Sequence, residues 1–214
     1  MAEVDTAFAT PSSRHQLLIL LNTFTSDEAF QPSASKLANH QLMDDLLNSL
    51  LIDNSSTLCT IGLTVLVKLL PIFAVYAWEE LKKMLPRLFA ILARVICWKE
   101  RPPPVEPSSE ADERLEVDEH VSNEFVETPS LELRPDLGWQ RLEPVFTASS
   151  FIPPSATYFS FLYYLLPCNL IRFLRGPSAY LNDRGYQTPF TVSWEDALDN
   201  VNIRSKAEVR CCSP

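Results

Sequence analysis

The chain has 214 residues, of which 46% are hydrophobic and 21% charged, and its formal net charge is −9. Such a composition is typical of a globular core and argues against wholesale disorder. The acidity is local, because residues 102–136 contain 11 acidic side chains and two arginines, and the rest of the chain balances at 16 acidic and 16 basic residues. A chain without a broad basic surface is not expected to bind nucleic acid.

Cysteine usage and the first residues of the chain indicate the compartment. The five cysteines are odd in number and scattered, and most lie in apolar runs, where a free thiol behaves as a small hydrophobic side chain. The first 16 residues lack a basic region joined to an apolar one, so no secretory signal is visible. We therefore expect a reducing, cytoplasmic location for the protein.

The chain begins with a predicted loose tail over residues 1–11, and residues 12–101 form the first part of a predicted helical core. The apolar run Leu17–Leu21 is too short for its period to separate a helix from a strand. Because helical patterns follow it, we predict a helix here, with Ser12 or Ser13 as its N-cap.

A second predicted helix begins with a cap at Ser35. His40 is expected at the edge of the core with a local partner, because no second ligand of metal-site spacing is nearby. Residues 53–56, DNSS, predict a turn that caps the next helix. The buried stripe of the second helix follows the 3.6-residue period and consists of Leu42, Met43, Leu46, Leu47, Leu50 and Leu51.

About forty mostly apolar residues follow, from Leu58 to Trp98, and they require partner helices or a lipid bilayer. The pattern predicts a helix over residues 57–70. Pro71 is expected to break or kink it, because proline lacks the amide N–H and clashes with the preceding turn. A connection over residues 72–78 then leads to a charged hinge at residues 79–83, EELKK.

Pro86 is expected in the first turn of a new amphipathic helix. Arg87 and Arg94 are predicted to mark the side of that helix that faces water. Its buried side is predicted to consist of Leu85, Leu88, Phe89, Leu92, Val95 and Ile96.

A membrane-spanning helix is the alternative for the first half of this block, Leu58 to Trp78. The Leu, Ile, Phe and Val residues between Leu58 and Val75 contribute about −3 to −7 kcal/mol to insertion, against about +3 kcal/mol for Lys68. Energy alone therefore does not decide. The amphipathic helices on both sides offer partners, which favours a helical core and leaves a small integral membrane protein as the alternative.

Residues 102–136 predict a disordered loop. The segment is acidic, rich in Pro, Ser and Glu, and short of aromatic residues, so burial cannot offset the entropy of ordering it. Thr128-Pro129 within it is a candidate phosphorylation site, for which a solvated linker is the simpler interpretation.

The second part of the helical core is predicted over residues 137–214, with order resuming near the first of these. An aromatic-rich helix, ATYFSFLYYLLP, is expected to end at Pro167, and Asn169 to cap the turn that follows. Gly176 is expected to adopt a left-handed backbone. Ser193 is expected to open a capping box for a helix near the C-terminus.

Apolar stripes recur in a pattern of helix, turn and helix. They predict an all-α fold with a HEAT-like helical-repeat core, an α-solenoid, interrupted by the acidic loop. The chain has no GxGxxG, P-loop or HExxH motif, and the carboxylate pairs Glu79-Glu80 and Asp44-Asp45 fall on faces expected to be solvated. We therefore predict no catalytic, cofactor-binding or metal-binding residue and no cofactor, and an enzyme ranks third among the hypotheses.

Two blocks of residues between Leu37 and Val209 resemble the hamartin family. In the first, an apolar helix ends in Leu-Leu-Pro and the next helix ends in an arginine and a tryptophan. The second has the form F-x-x-L-Y, three residues, P-C-N, three residues, F-L-R. The residues that carry the resemblance are Pro71, Pro86, Arg94, Trp98, Phe159, Leu162, Tyr163, Pro167, Cys168, Asn169, Phe173, Leu174 and Arg175.

The resemblance implies a scaffold subunit of the tuberous sclerosis complex, with the acidic loop as an insertion of the kind associated with fungal members. Hamartin acts with tuberin, a GTPase-activating protein for Rheb, and the pair restrains target-of-rapamycin growth signalling at lysosomal or vacuolar membranes. Protein partners, homodimer formation and peripheral membrane contact are therefore expected, and no catalytic residue is transferred.

The family's C-terminal coiled coil, which binds tuberin, has no counterpart here, because no heptads follow Leu198. The resemblance thus implies tuberin as the partner, but we do not expect this chain to contact tuberin directly. The sequence is interpreted as a fragment, a truncated gene product or a reduced paralogue, with the partial N-terminal core of the family.

Overall fold

The computed structural model describes residues 10–98, 131–142 and 153–212, and residues 1–9 of the predicted tail over 1–11 and most of the acidic loop lie outside them. Within the described residues the structure is helical, and an isolated antiparallel bridge pairs Leu133 with Phe190. The prediction of an all-α fold is confirmed. The α-helices are α1 (Pro11–Phe24), α2 (Ala34–Ala38), α3 (Gln41–Ile52), α4 (Ser56–Tyr76), α5 (Trp78–Ile96), α6 (Ser155–Leu165), α7 (Pro167–Arg175), α8 (Pro177–Asp183), α9 (Trp194–Ala197) and α10 (Asn200–Cys212).

Helix α1 begins two or three residues earlier than the predicted caps imply. Its first residue is Pro11 and its N-cap is Thr10, so neither Ser12 nor Ser13 is the cap. Proline suits the first helical position because the N–H that it lacks would have no partner there. The helix covers the apolar run as predicted, with Leu18 buried and Leu20 exposed to solvent.

The predicted helix from Ser35 is two helices. Helix α2 ends at Ala38, and α3 begins at Gln41 after a break at Asn39 and His40. The His40 side chain caps α3, because its Nδ1 atom accepts the Leu42 N–H at 3.1 Å. The expectation of a local partner for His40 is therefore correct.

Helix α4 runs unbroken through Pro71 to Tyr76, so the predicted break and the connection after it are wrong. Proline removes one hydrogen bond of the helix, and packing of α4 against α1, α2, α3, α5 and α6 offsets that local loss. Gly62 is where α3 comes closest, since a Cβ atom at this position would lie 2.7 Å from Leu50 Cδ2. Helix α4 is thus the central helix of the described structure.

The chain reverses at Ala77, where the backbone leaves the helical region with φ −146° and ψ 43°. The EELKK segment is therefore not a hinge, because residues 79–83 belong to the first turns of α5. Pro86 lies inside α5 and not in its first turn. The exposed ion pairs of Lys82 with Glu79 and of Lys83 with Glu80 connect side chains one turn apart.

The predicted buried side of α5 is correct, and its six apolar residues are at most 3% exposed. The second half of the chain packs on this helix. Phe89 stacks on Phe173 of α7 with 5.2 Å between ring centroids, and the Tyr158 hydroxyl of α6 donates to the Leu88 carbonyl at 3.0 Å. These contacts join the two predicted parts of the core into one packed structure.

The second half differs from its prediction at two caps and at the point where order resumes. Pro167 does separate two helices, but it is the first residue of α7, so Asn169 lies inside that helix and caps nothing. Gly176 has φ −160°, an extended backbone that any residue adopts. Order also resumes before residue 137, because a 3₁₀ helix covers Pro135–Leu137 and ends at Gly138, whose φ is 57°. The Ser193 cap of α9 is confirmed.

Leu92→Asp tests the buried side of α5. An unpaired charge at this position has no exposed surface and should cost several kcal/mol, comparable with the whole stability of an ordinary domain. We expect the variant to be absent from the soluble fraction after expression. The matched control is Leu20→Asp on the exposed face of α1, which should remain soluble and helical by circular dichroism. A soluble, cooperatively melting Leu92→Asp protein would contradict the buried placement.

Candidate functional site

The most connected polar group in the described residues is the carboxylate of Asp53, in the turn between α3 and α4. Its Oδ1 atom accepts hydrogen bonds from Arg14 Nη1 at 2.8 Å, Trp139 Nε1 at 3.1 Å and the Leu142 N–H at 2.9 Å. Its Oδ2 atom accepts from the Ser49 hydroxyl at 2.7 Å. Four donors from three segments of the chain therefore satisfy a carboxylate that is removed from water.

Arg14 is the charged partner of Asp53, and both side chains have no exposed surface. Burial lowers the pKa of Arg14, and the negative charge of Asp53 opposes that decrease. The guanidinium also lies against the ring of Trp139, 4.1 Å from its centroid. Pairing, stacking and hydrogen bonding together offset the desolvation of two charges.

Arg94 joins α5 to the same turn. Its guanidinium donates to the backbone carbonyl of Leu50 at 2.6 Å and to that of Asp53, and it lies 4.7 Å from the centroid of the Trp98 ring. Burial lowers the pKa of Arg94 to about 10. Burial of the Cys59 thiol raises the pKa of that group to about 12. The prediction that Arg94 faces water is therefore wrong, because its head group is bound to backbone carbonyls.

Arg87, the other residue assigned to the wet side, is half-buried and pairs with Asp44 of α3. Lys68, half-buried on α4, donates to Asn22 Oδ1 at 2.7 Å and to the Ser26 hydroxyl at 2.8 Å. Polar groups at helix contacts are thus used to join α4 and α5 to their neighbours. Such contacts hold helices in register and need no bound ligand.

Sequence reasoning assigned residues 53–56 to a turn and did not identify the network around Asp53. The local signals were present, since an Asp-Asn-Ser-Ser run caps helices and an arginine inside an apolar helix needs a partner. The pairing itself joins Arg14 to a residue 39 positions later and Trp139 to one 86 positions earlier. No local pattern predicts contacts over such separations.

The structure divides the residues of the hamartin resemblance between core and surface. Phe159, Leu162 and Phe173 are buried, and Leu174 is partly buried against the core. Pro71 and Pro86 are half-buried within α4 and α5. These residues are explained by packing, and the structure brings Phe173 together with Phe89 and Tyr180 in one aromatic cluster.

Three of the remaining motif residues lie at the corner between α6 and α7. Tyr163 is 44% exposed, and Pro167 and Cys168 are also exposed. Tyr164, the next residue after Tyr163, is 81% exposed. A core role does not account for these side chains, so they are candidates for contact with another molecule.

Two further motif residues lie beyond that corner. The half-buried Asn169 accepts a hydrogen bond from Arg184 at 3.3 Å. Arg175 is exposed at the far end of α7.

No group of three or more His, Cys, Asp or Glu side chains that could hold a metal ion occurs among the described residues. A shallow groove of about 590 Å³ lies beside the loop between α8 and α9, where Tyr186, Phe190 and Trp194 line it. Its lining contains no histidine or cysteine, and its carboxylate, Glu195, accepts a hydrogen bond from Asn182 at 2.7 Å. The groove therefore offers no assembled nucleophile and base.

One helix in the described part of the chain is long and apolar enough to cross a membrane. It is α4, Ser56–Tyr76, with a mean hydropathy of 2.2 in its most apolar window, and half of that window is buried inside the protein. A core helix of a soluble protein meets the same criteria.

Removal of the Asp53 carboxylate tests the network. Asp53→Ala removes the carboxylate that pairs with the buried Arg14 guanidinium and accepts from three further donors, so we expect a loss of about 3–5 kcal/mol in the free energy of unfolding, measured by urea denaturation. The control Asp183→Ala removes an exposed carboxylate at the end of α8 and should change stability by less than about 0.5 kcal/mol. The double variant Arg14→Met/Asp53→Leu should be more stable than Asp53→Ala, and equal losses in both aspartate variants would contradict this role.

No family model and no curated protein matches the chain. Two similar solved structures are described as "TSC1 N-terminal domain" and "Structure of TSC1 NTD and linker domain". The first has a TM-score of 0.60 and 18% identity, covering 97% of this chain and 41% of the other. The second has a TM-score of 0.59 and 18% identity, covering 98% and 40%. TSC1 is hamartin, so the chain has a hamartin-like fold and spans about 40% of the length of these solved chains.

Proposed function

We propose that the chain is a member of the hamartin family and a non-enzymatic scaffold module that binds other proteins. The observation that carries this proposal is the hamartin-like fold over 97% of the chain, at an identity of 18%. The motif from Phe159 to Arg175, which resembled that family in sequence, lies on α6 and α7 within the matched fold. We take the 13 motif residues as family markers with structural roles.

The distribution of polar and apolar groups supports a scaffold role. The buried polar groups around Asp53 are bonded to one another, and they connect helices. Large apolar side chains remain exposed on α1, at the corner between α4 and α5, and at the corner between α6 and α7. They are Ile19, Leu20, Phe24, Val75, Tyr76, Trp78, Tyr163, Tyr164 and Ile171. Exposed apolar groups that cluster on helix faces are typical of surfaces that contact other proteins.

The finer proposal concerns the pathway and location. By resemblance to hamartin, the module acts with tuberin to restrain target-of-rapamycin signalling through Rheb, in the cytoplasm and peripherally at lysosomal or vacuolar membranes. Homodimer formation belongs to the same proposal. The proposed division of the chain is kept. It comprises a helical first part over residues 12–101, an acidic loop over 102–136 and a helical second part over 137–214. Within the last part of the loop, ordered structure begins by residue 131.

Loss of the chain should release growth signalling in cells that express it. We expect phosphorylation of the S6 kinase to persist during amino-acid starvation after depletion of the chain, because a negative regulator is missing. Re-expression of the unchanged chain should restore the decrease, and the core variant Leu92→Asp should not. Normal loss of S6 kinase phosphorylation in depleted cells would count against the pathway but not against the fold.

An integral membrane protein anchored by α4 is the second candidate, favoured by the hydropathy of that helix. Contacts within the protein oppose it. Helix α4 packs against five other α-helices, and Lys68 is held by Asn22 and Ser26. A spanning α4 would have to abandon these contacts and place the Lys68 ammonium in the bilayer, at a cost of about 3 kcal/mol.

Carbonate extraction separates the two candidates. Membranes from cells that express the chain are washed at alkaline pH, and the chain is measured in supernatant and pellet. A scaffold bound only at the surface should be released, as a peripheral marker is, whereas a spanning marker stays in the pellet. Retention of the chain with the spanning marker would support the membrane-anchored candidate and overturn the soluble scaffold.

A further inference from the structure

Tyr180 of α8 has a buried hydroxyl group without a hydrogen-bond partner among the described residues. The residue is 7% exposed, and its ring packs edge-on against Phe89 and Phe173, with centroids 5.5 and 5.8 Å apart. Buried hydroxyls in folded proteins nearly always have a partner, and an unmade hydrogen bond costs free energy. The chain therefore has a tyrosine at a position where phenylalanine would satisfy the packing.

One arginine lies over the ring of Tyr180, and a second lies one helical turn along α7 from the residue that this arginine contacts. The Arg184 guanidinium is 5.2 Å from the centroid of the Tyr180 ring and donates to Asn169 Oδ1 on α7 at 3.3 Å. Arg172 follows Asn169 by three residues, so both project from the same face of α7. Burial raises the pKa of Tyr180, and the positive charges of Arg184 and Arg172 oppose that increase.

The region around these arginines lacks counter-charges. Residues 153–182, which include α6, α7 and nearly all of α8, contain no acidic residue. Arg172 is exposed and forms no ion pair among the described residues, and Arg184 is bonded only to a neutral amide and an aromatic ring in that same part of the chain. In a protein with a net charge of −9, two unpaired guanidinium groups around an unpaired hydroxyl are suited to an anion.

We propose that Arg172, Arg184 and the Tyr180 hydroxyl bind the phosphate group of a phosphorylated serine or threonine in a partner protein. Guanidinium groups donate paired hydrogen bonds to phosphate oxygens, and two of them balance the charge of a phosphate monoester near pH 7. The hydroxyl supplies a third donor at the base of the site. The hydroxyl oxygen is buried, so phosphate binding requires Arg184 to move off the ring.

The surroundings favour a phosphate carried by a protein over one on a bilayer surface. Asp183 is exposed next to Arg184, and Glu195 lies near Asn182 of the same helix, so an extended anionic surface would meet carboxylates. A single phosphorylated side chain reaches the arginines without covering those carboxylates. The identity of the carrier as a protein rests on the proposed scaffold function, whereas the anion site rests on the three side chains.

The test is fluorescence anisotropy with the full 214-residue chain and a labelled glycine-rich peptide that contains one phosphoserine. We expect saturable binding of this peptide and none of its unphosphorylated form. Arg172→Gln and Arg184→Gln should each weaken binding about tenfold, because each removes charge-assisted hydrogen bonds. Tyr180→Phe should weaken binding about threefold to tenfold without lowering the melting temperature, because the lost hydroxyl has no internal partner.

The matched control is Arg175→Gln, an exposed arginine on α7 one turn beyond Arg172, which should bind the peptide within about twofold of the unchanged chain. Equal loss in Arg175→Gln and Arg172→Gln, unchanged affinity in Tyr180→Phe, or no binding of the phosphopeptide would overturn the site. Vesicles of phosphatidylcholine and phosphatidylserine that bind in an Arg172- and Arg184-dependent manner would overturn the protein-borne ligand. The S6 kinase measurement tests the scaffold function independently. A failure of the phosphate site can therefore be distinguished from a failure of the proposed scaffold function.

Discussion

A buried carboxylate must be paired, and Asp53 meets this requirement with groups that lie far apart in the sequence. Arg14 provides the opposite charge from α1, Trp139 and Leu142 provide N–H donors from the segment before the second helical half, and Arg94 holds the backbone of the same turn from α5. None of these elements can move away without leaving a charge or a donor unpaired in a dry environment. One carboxylate therefore links α1, α3 and residues 131–142, and Arg94 of α5 joins the same turn through its backbone.

The helices themselves could be predicted from the sequence wherever burial alone decides, as in the apolar side of α5, where the 3.6-residue period is complete. Predictions from local chemistry failed where tertiary packing outweighs a local cost. Pro71 and Pro86 each remove one backbone hydrogen bond, yet both remain inside helices, because the long apolar faces of α4 and α5 are buried on their neighbours. The chain reverses instead at Ala77, and neither this residue nor its immediate neighbours are of a type that predicts a turn. Rules based on single residues describe the local cost of a proline in a helix, but they do not include the free energy gained when the helix packs against its neighbours.

The candidate sites also combine features that the sequence predicted with features that only the structure shows. Sequence motifs identified Phe173, Tyr163 and Cys168 together as members of one pattern, although Phe173 lies in the core and the other two face water. The phosphate site proposed around Tyr180 was not visible in sequence, since nothing in its surroundings says that the hydroxyl lacks a partner. Whether a hydroxyl lacks a hydrogen-bond partner depends on the three-dimensional packing around it. The missing partner of Tyr180 indicates a binding site only together with the position of Arg184 over the ring.

The contact at Gly62 has a consequence for the polar turn as well as for packing. A side chain at this position would press on Leu50, whose backbone carbonyl accepts a hydrogen bond from Arg94. Leu50 therefore connects the close approach of α3 to α4 with the carbonyl that holds the Arg94 guanidinium. A substitution at Gly62 that displaces Leu50 would act on the helix spacing and on the position of this carbonyl together.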